Sequence, residues 1–194
     1  EQARPIAALW SEQRPGWHIL HTFTSPSGYD YARRLGEAQR IEYLPEDTPG
    51  TSGRVLDALR PGVLIFVKWD VWPNLVVQAH ARSIPVVLVD ATLREASSRS
   101  RWPARALYRQ LYGGMSLISA VSEREAERFR RVVPEHPRIV VDGDTRFAQD
   151  MRRRQEAKRV ALPEALARRP EVFTFIAGST WEPGGARVLP ACAA

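Results

Sequence analysis

Short, unbroken apolar runs alternate along the chain with stretches whose apolar positions recur at helical spacing. The runs His18–Phe23, Ile41–Leu44, Val63–Val67, Pro85–Asp90, Ser116–Val121, Arg138–Asp142 and Phe173–Ala177 read as strands. Between them, helices are predicted from Ser27-Gly28 to Leu35, over Ser52–Leu59, and from the Trp72-Pro73-Asn74 turn to Ala81. Further helices are predicted near Pro103–Tyr112, from Ser122 to Val132 and over Gln149–Ala161. Ser122-Glu123-Arg124-Glu125 carries the Ser-x-x-Glu pattern of a capping box. Continuous apolar strands alternating with helices predict a parallel sheet covered on both faces, a Rossmann-like, doubly wound α/β domain over residues 1–150. Residues 151–170 read as a helical linker. The strand at Phe173 opens a second α/β unit over 171–194 that the chain does not complete.

This fold class says where ligands go. In open α/β sheets they bind outside the carboxyl ends of the strands. Five predicted strand ends carry polar or special residues: Thr24–Gly28, Lys68–Asn74, Asp90–Thr92, Gly143–Arg146 and Gly178–Thr180. The hydroxyls and amides around Ser27 and Gly28 suit a phosphate or carboxylate, and equally suit a plain helix cap. Lys68 and Asp70, two apart at a strand end, can point together into a cleft or form a surface ion pair. Trp72-Pro73-Asn74 favours packing and capping over ligand contact. Gly143-Asp144-Thr145-Arg146 offers a phosphate-capable arginine or a simple turn. Gly178-Ser179-Thr180-Trp181-Glu182 is similar to a phosphate-cradling turn, but lacks the Gly-Lys-Ser/Thr ending of a Walker motif.

Composition narrows the classes. With 194 residues, 44% hydrophobic and 26% charged, the chain can bury a core without staples. A single cysteine, Cys192, excludes a disulfide framework or a Cys-based zinc site within one chain. His18, His21, His80 and His136 show no metal-ligand spacing, and no metal site is expected. No apolar run approaches the roughly 20 residues of a membrane-spanning helix. Glu1–Pro5 has no signal-peptide pattern, so a soluble chain in a reducing compartment is the expectation.

The net charge is +6, and of 28 basic residues only Lys68 and Lys158 are lysines. Arg94, Arg99, Arg101, Arg105 and Arg109 face only Glu95 in their stretch. Arg146 to Arg159 holds six basic residues against Asp150 and Glu156. Arginine suits bidentate contact with phosphate or carboxylate. Nucleic acid, an anionic membrane, a phosphorylated small molecule and a merely solvated helix face all fit these stretches. The chain has neither a Gly-x-Ser-x-Gly elbow nor Gly-x-Gly-x-x-Gly after a strand, which disfavours an α/β hydrolase and a nicotinamide dehydrogenase. The RNA-binding aromatic signature is missing, although Trp102, Tyr108 and Tyr112 interleave with arginines.

Taken together, Lys68-Trp69-Asp70-Val71-Trp72-Pro73-Asn74, Gly143-Asp144-Thr145-Arg146-Phe147 and Gly178-Ser179-Thr180-Trp181-Glu182 resemble three motifs of one family. It is that of the 3-deoxy-D-manno-octulosonic acid (Kdo) transferases of lipopolysaccharide synthesis. Ser25-Pro26-Ser27-Gly28 and Tyr43-Leu44-Pro45-Glu46-Asp47 match further segments, so the resemblance runs from about His18 to Glu182. The variants look like the form found in Bacteroidetes-type bacteria. The resemblance implies the N-terminal half of a GT-B glycosyltransferase, which moves Kdo from CMP-Kdo to a lipid A precursor with inversion and needs no cofactor or metal.

The resemblance puts the functionally important acidic residue on Asp70. Acceptor binding is expected at Ser27, Gly28, Lys68 and Trp72, and donor binding at Arg146, Ser179, Thr180, Trp181 and Glu182; Arg94 and Arg99 stand in for the family's lost arginine on the acceptor side, and the Arg94–Arg109 stretch is further expected to contact the acceptor's phosphates and the anionic membrane surface. CMP-Kdo, the lipid A precursor and the anionic inner-membrane surface are the implied partners, with no nucleic acid. The implied location is cytoplasmic, peripheral to the cytoplasmic face of that membrane. The sequence also departs from the family. Nothing in Glu1–Gly16 matches the Ser-Val-Gly-Glu strand end whose Glu is the general base. Asp90-Ala91-Thr92 replaces Asn-Ala-Arg, and Arg146 replaces a lysine. A truncated, inactive chain is therefore an expectation too. Alternatives are a noncatalytic binding domain for lipid A or another anionic ligand, another GT-B nucleotide-sugar enzyme, and nucleic-acid binding through the arginines.

Overall fold

The computed structural model describes residues 2–35, 40–94, 104–136 and 138–157. The chain divides into two compact units, Glu1–Gln155 and Glu156–Ala194. Helices and strands alternate through the first: α1 Ala3–Gln13, β1 Leu20–Phe23, α2 Pro26–Leu35, β2 Arg40–Tyr43, α3 Pro49–Leu59, β3 Leu64–Val67 and α4 Pro73–Ala81. They continue with β4 Val86–Ala91, α5 Ala104–Gly113, β5 Leu117–Ala120, α6 Glu123–Val132, β6 Ile139–Val141 and α7 Thr145–Ala157.

Every strand pair is parallel, as the α/β alternation predicts. Among the described residues the strands form two sheets rather than one, a pair β1-β2 and a four-stranded sheet β3-β4-β5-β6. The apolar runs fill the core of the larger sheet: Val86, Leu88 and Ile118 are fully buried against Leu75, Val76 and Ala79 of α4 and Phe129 of α6. Tyr112 of α5 meets Phe129 edge to face at 5.2 Å, a favoured aromatic geometry. Among the described residues, backbone pairing engages one side of β3 and one side of β1. Leu64 and Lys68 N–H donate to Pro85 and Val89 carbonyls, and Leu44 N–H donates to the Phe23 carbonyl. Because alternate residues of a parallel strand face opposite neighbours, Ile65 and Val67 of β3, and Leu20 and Thr22 of β1, turn their amides away from the partner strand.

Local chemistry sets the helix starts. Thr48 caps α3 by accepting the Thr51 amide at 3.2 Å, with Pro49 in the first turn. Three sequence expectations change. The capping box at Ser122 is half formed: Ser122 Oγ accepts the Glu125 amide, but the Glu125 carboxylate accepts the Leu93 amide at 2.6 Å instead of returning to Ser122. Glu125 also pairs with Arg128, which donates to the Leu93 carbonyl, so α6 pins the chain leaving β4. The helix expected from Gln149 begins four residues earlier, at Thr145, because two carboxylates cap it there. Helix α1 was not predicted; none of its residues is fully buried, so its apolar stripe is weak. The strand at Phe173 and most of the linker lie outside the described residues.

Candidate functional site

The C-terminal ends of β3, β4 and β6 bring charged groups together. Lys68 ends β3 in the left-handed region, φ 65°, its amide still tied to the Val89 carbonyl. Asp90 near the end of β4 is also left-handed, φ 53°, and is 1% exposed. Two strained non-glycine residues at adjacent strand ends are the kind of outlier that clusters at functional sites. Asp90 Oδ1 accepts the Thr145 amide at 2.9 Å, which ties β4 to the first turn of α7. Asp90 Oδ2 and Thr145 Oγ1 are buried with no hydrogen-bond partner among the described residues.

Asp144 caps the same helix. Its Oδ1 accepts the Arg146 amide at 2.9 Å, and both its oxygens accept from the Arg146 guanidinium. Hydrogen bonds from Arg146, with further help from the Lys68 charge, hold the Asp144 carboxyl below its ordinary range. Arg146 is pushed up in turn, chiefly by its hydrogen bond to Asp144.

Trp69, the residue after Lys68, keeps 47% of its surface exposed. The Lys68 ammonium lies 5.0 Å and the Arg94 guanidinium 5.9 Å from its ring centroid, within cation–π range. The indole therefore gathers two cations at the strand ends. Trp69, Asp90 and Asp144 lie in strand ends that the sequence marks as candidate ligand positions, but it gives none of the three a role of its own. An aromatic residue two positions after an apolar strand, next to a lysine, was the available signal for Trp69.

The other expected residues fall as follows. Asp70 is exposed in the turn after β3, where its amide donates to the Val67 carbonyl. Trp72 precedes Pro73 at the start of α4 and packs against the core. Ser27 and Gly28 lie in the first turn of α2. The Ser27 hydroxyl bonds that of Ser25 at 2.7 Å, and a side chain at Gly28 would come within 3.1 Å of the Phe23 ring. Arg99, Ser179, Thr180, Trp181 and Glu182 lie outside the described residues. Of the arginines on α5, Arg105 donates to the Arg131 carbonyl and Arg109 pairs with Glu135 at 3.7 Å. No helix among the described residues is long and apolar enough to cross a membrane.

A family model described as 3-Deoxy-D-manno-octulosonic-acid transferase (kdotransferase) matches residues 1–149. The chain is 24% identical over 146 residues to the 3-deoxy-D-manno-octulosonic acid transferase of Haemophilus influenzae, covering 75% of this chain and 34% of that protein. It is 29% identical over 189 residues to the enzyme of that name from Bordetella pertussis, covering 93% of this chain and 40% of that protein. The chain thus spans well under half the length of these relatives. In fold it is similar to UDP-GlcNAc 2-epimerase from Neisseria meningitidis bound to UDP-GlcNAc. That match has TM-score 0.61 at 17% identity, over 81% of this chain and 47% of that one.

Proposed function

The chain belongs to the 3-deoxy-D-manno-octulosonic-acid transferase family, matched over residues 1–149, and from that premise we propose that it is the acceptor-side half of an inverting Kdo transferase. The reaction moves Kdo from CMP-Kdo to a hydroxyl of a lipid A precursor. One observation carries the reading to this chain's own residues: Lys68, Arg94 and Arg146 gather where β3, β4 and β6 end, around Trp69 and Asp144.

The chemistry asks for such a cluster. The acceptor oxygen attacks the anomeric carbon from the face opposite CMP, and the bond from that carbon to the phosphate oxygen breaks. Negative charge grows on the departing phosphate, where preorganised cations stabilise it. Arg146, with its planar fork, suits that phosphate or the Kdo carboxylate. Lys68 and Arg94 suit the phosphates of the acceptor. Asp70, exposed beside them, orients the acceptor hydroxyl. The general base that takes the hydroxyl proton comes, on this reading, from a further parallel strand accepted by the other sides of β1 and β3. Arg99 belongs with the acceptor site, and Ser179, Thr180, Trp181 and Glu182 with the nucleotide. Contact with an anionic membrane is proposed for the Arg94–Arg109 stretch, within which Arg105 and Arg109 have partners in the fold. On this reading the enzyme works at the cytoplasmic face of the inner membrane.

The test is Kdo transfer from CMP-Kdo to a tetraacylated lipid A precursor by the full-length protein that contains this chain. Arg146→Gln is expected to lower kcat about 100-fold, the scale of losing one charge-stabilising donor. Transfer unchanged by both Arg146→Gln and Lys68→Gln overturns the assignment of this cluster. Precursor binding without turnover makes the protein a binding domain instead.

A further inference from the structure

We propose that Asp144 is a latch on Arg146: it holds the guanidinium in an internal ion pair that an incoming phosphate or carboxylate must displace. The inference rests on the reading above that Arg146 meets the donor's charge. It adds that this meeting is an exchange of partners rather than capture by a waiting cation.

The two members of the pair differ in what holds them. Asp144 is nearly buried, its side chain 9% exposed, while Arg146 keeps 63% of its side chain exposed. The fold fixes the carboxylate, because Asp144 Oδ1 caps α7 through the Arg146 amide at 2.9 Å. The guanidinium is attached only through its own flexible stem and the carboxylate itself. Its Nε donates to both oxygens, at 3.0 and 2.8 Å, and Nη2 donates to Oδ2. Nη1 has no hydrogen-bond partner among the described residues, so a ligand oxygen can engage that nitrogen first and then take Nη2 from Asp144. Only an anion offering two oxygens in the fork geometry replaces what Arg146 gives up. The latch therefore selects phosphate and carboxylate groups over simple halides. Removing it also removes a negative charge beside the ligand, so the two effects have to be separated. Asp150 separates them: it acts on Arg146 through its charge from one turn along α7, and no hydrogen bond joins the two among the described residues.

The experiment measures the Kd of cytidine 5′-monophosphate by calorimetry on the full-length protein and on four variants. These are Asp144→Asn, Asp150→Asn, Arg146→Gln and the Asp144→Asn/Arg146→Gln double variant. Asparagine caps helices as well as aspartate, and a thermal melt of each variant checks that α7 keeps its start. Asp144→Asn is expected to bind about fivefold tighter, the upper end of what an exposed ion pair holds back. Asp150→Asn is expected to match the parent, Arg146→Gln to bind more weakly, and the double variant to lose the gain. Equal gains from Asp144→Asn and Asp150→Asn, or none from Asp144→Asn, overturn the latch and leave the reading of Arg146 standing. Parent-like binding by Arg146→Gln, or no binding by any form, overturns that reading and the latch with it.

Discussion

At the scale of single residues, Asp90 joins the fold to the site. It pairs a left-handed backbone, costing about 1–2 kcal/mol in a residue with a Cβ, with full burial and a single hydrogen bond through Oδ1 to the Thr145 amide. That bond sets where α7 begins, and so where Asp144 and Arg146 stand. Asp90→Ala leaves the Thr145 amide buried without its acceptor and is expected to cost about 1–3 kcal/mol. Asp90→Asn keeps an acceptor oxygen, tolerates the left-handed backbone, and offers a donor in place of the orphaned Oδ2. It is expected to stay within about 1 kcal/mol of the parent. Urea denaturation of the three forms decides this, and an Asp90→Ala protein as stable as the parent rejects the tie. The sequence located Asp90 at a strand end but not its inward turn, because its partner on α7 is brought there only by the pairing of β4, β5 and β6. Trp69 was hidden for a related reason: its role depends on Arg94 folding back across it.

Among the elements, α4 starts on a carboxylate brought from outside it. Asp47 Oδ1 accepts from the Leu75 amide at 2.8 Å and the Ser52 hydroxyl at 2.9 Å, while Oδ2 accepts from the Asn74 amide at 2.9 Å. Asn74 answers by donating from Nδ2 to the Asp47 carbonyl at 2.6 Å. One carboxylate thus caps α4, bonds α3 through Ser52, and pins the loop after β2 against the turn that carries Lys68-Trp69-Asp70. Asp47→Ala removes a cap and strands two amides, so a loss of about 2–3 kcal/mol is expected. Asn74→Ala should lose about 1 kcal/mol, since Asp47 keeps its other donors. Thermal or urea unfolding of both checks the ranking, and the reverse order rejects it. The sequence made Trp72-Pro73-Asn74 legible as a helix start and Pro45–Gly50 as a loop, because both are local chemistry. The clamp between them was not legible, nor was the diversion of Glu125 from its capping box to the Leu93 amide. Glu125 leaves a local partner for a tertiary one, and the clamp joins residues 27 positions apart in the chain.

For the whole molecule, the division into two sheets follows from connection rules. Parallel strands joined by right-handed crossovers run in one direction until the order reverses, and ligands bind at that switch point. Here β2 lies outside β1, while β3, β4, β5 and β6 run in sequence order. The doubly wound rule joins such sheets with β1 nearest β3, and on that rule we place the reversal between Ser25-Pro26-Ser27-Gly28 and Lys68. A doubly wound sheet has a strand at that point, and α1, which leads into β1, is the crossover helix such a strand would feed. Apolar runs made the parallel strands legible but not which neighbours they pair with; only the family resemblance pointed to this gap, through the Ser-Val-Gly-Glu strand end that Glu1–Gly16 does not match. The proposed strand has a backbone signature that needs no knowledge of its sequence. In this chain the amides of Thr22, Ile65 and Val67 should exchange hydrogen faster than those of Phe23, Leu64 and Phe66, which face the paired side of the same strands. In the full-length protein the first set should gain protection while the second changes little. Equal protection of both sets in this chain shows that the edges are already covered. Unchanged exchange in the longer protein removes the strand, and with it the route by which a general base reaches Lys68, Arg94 and Arg146.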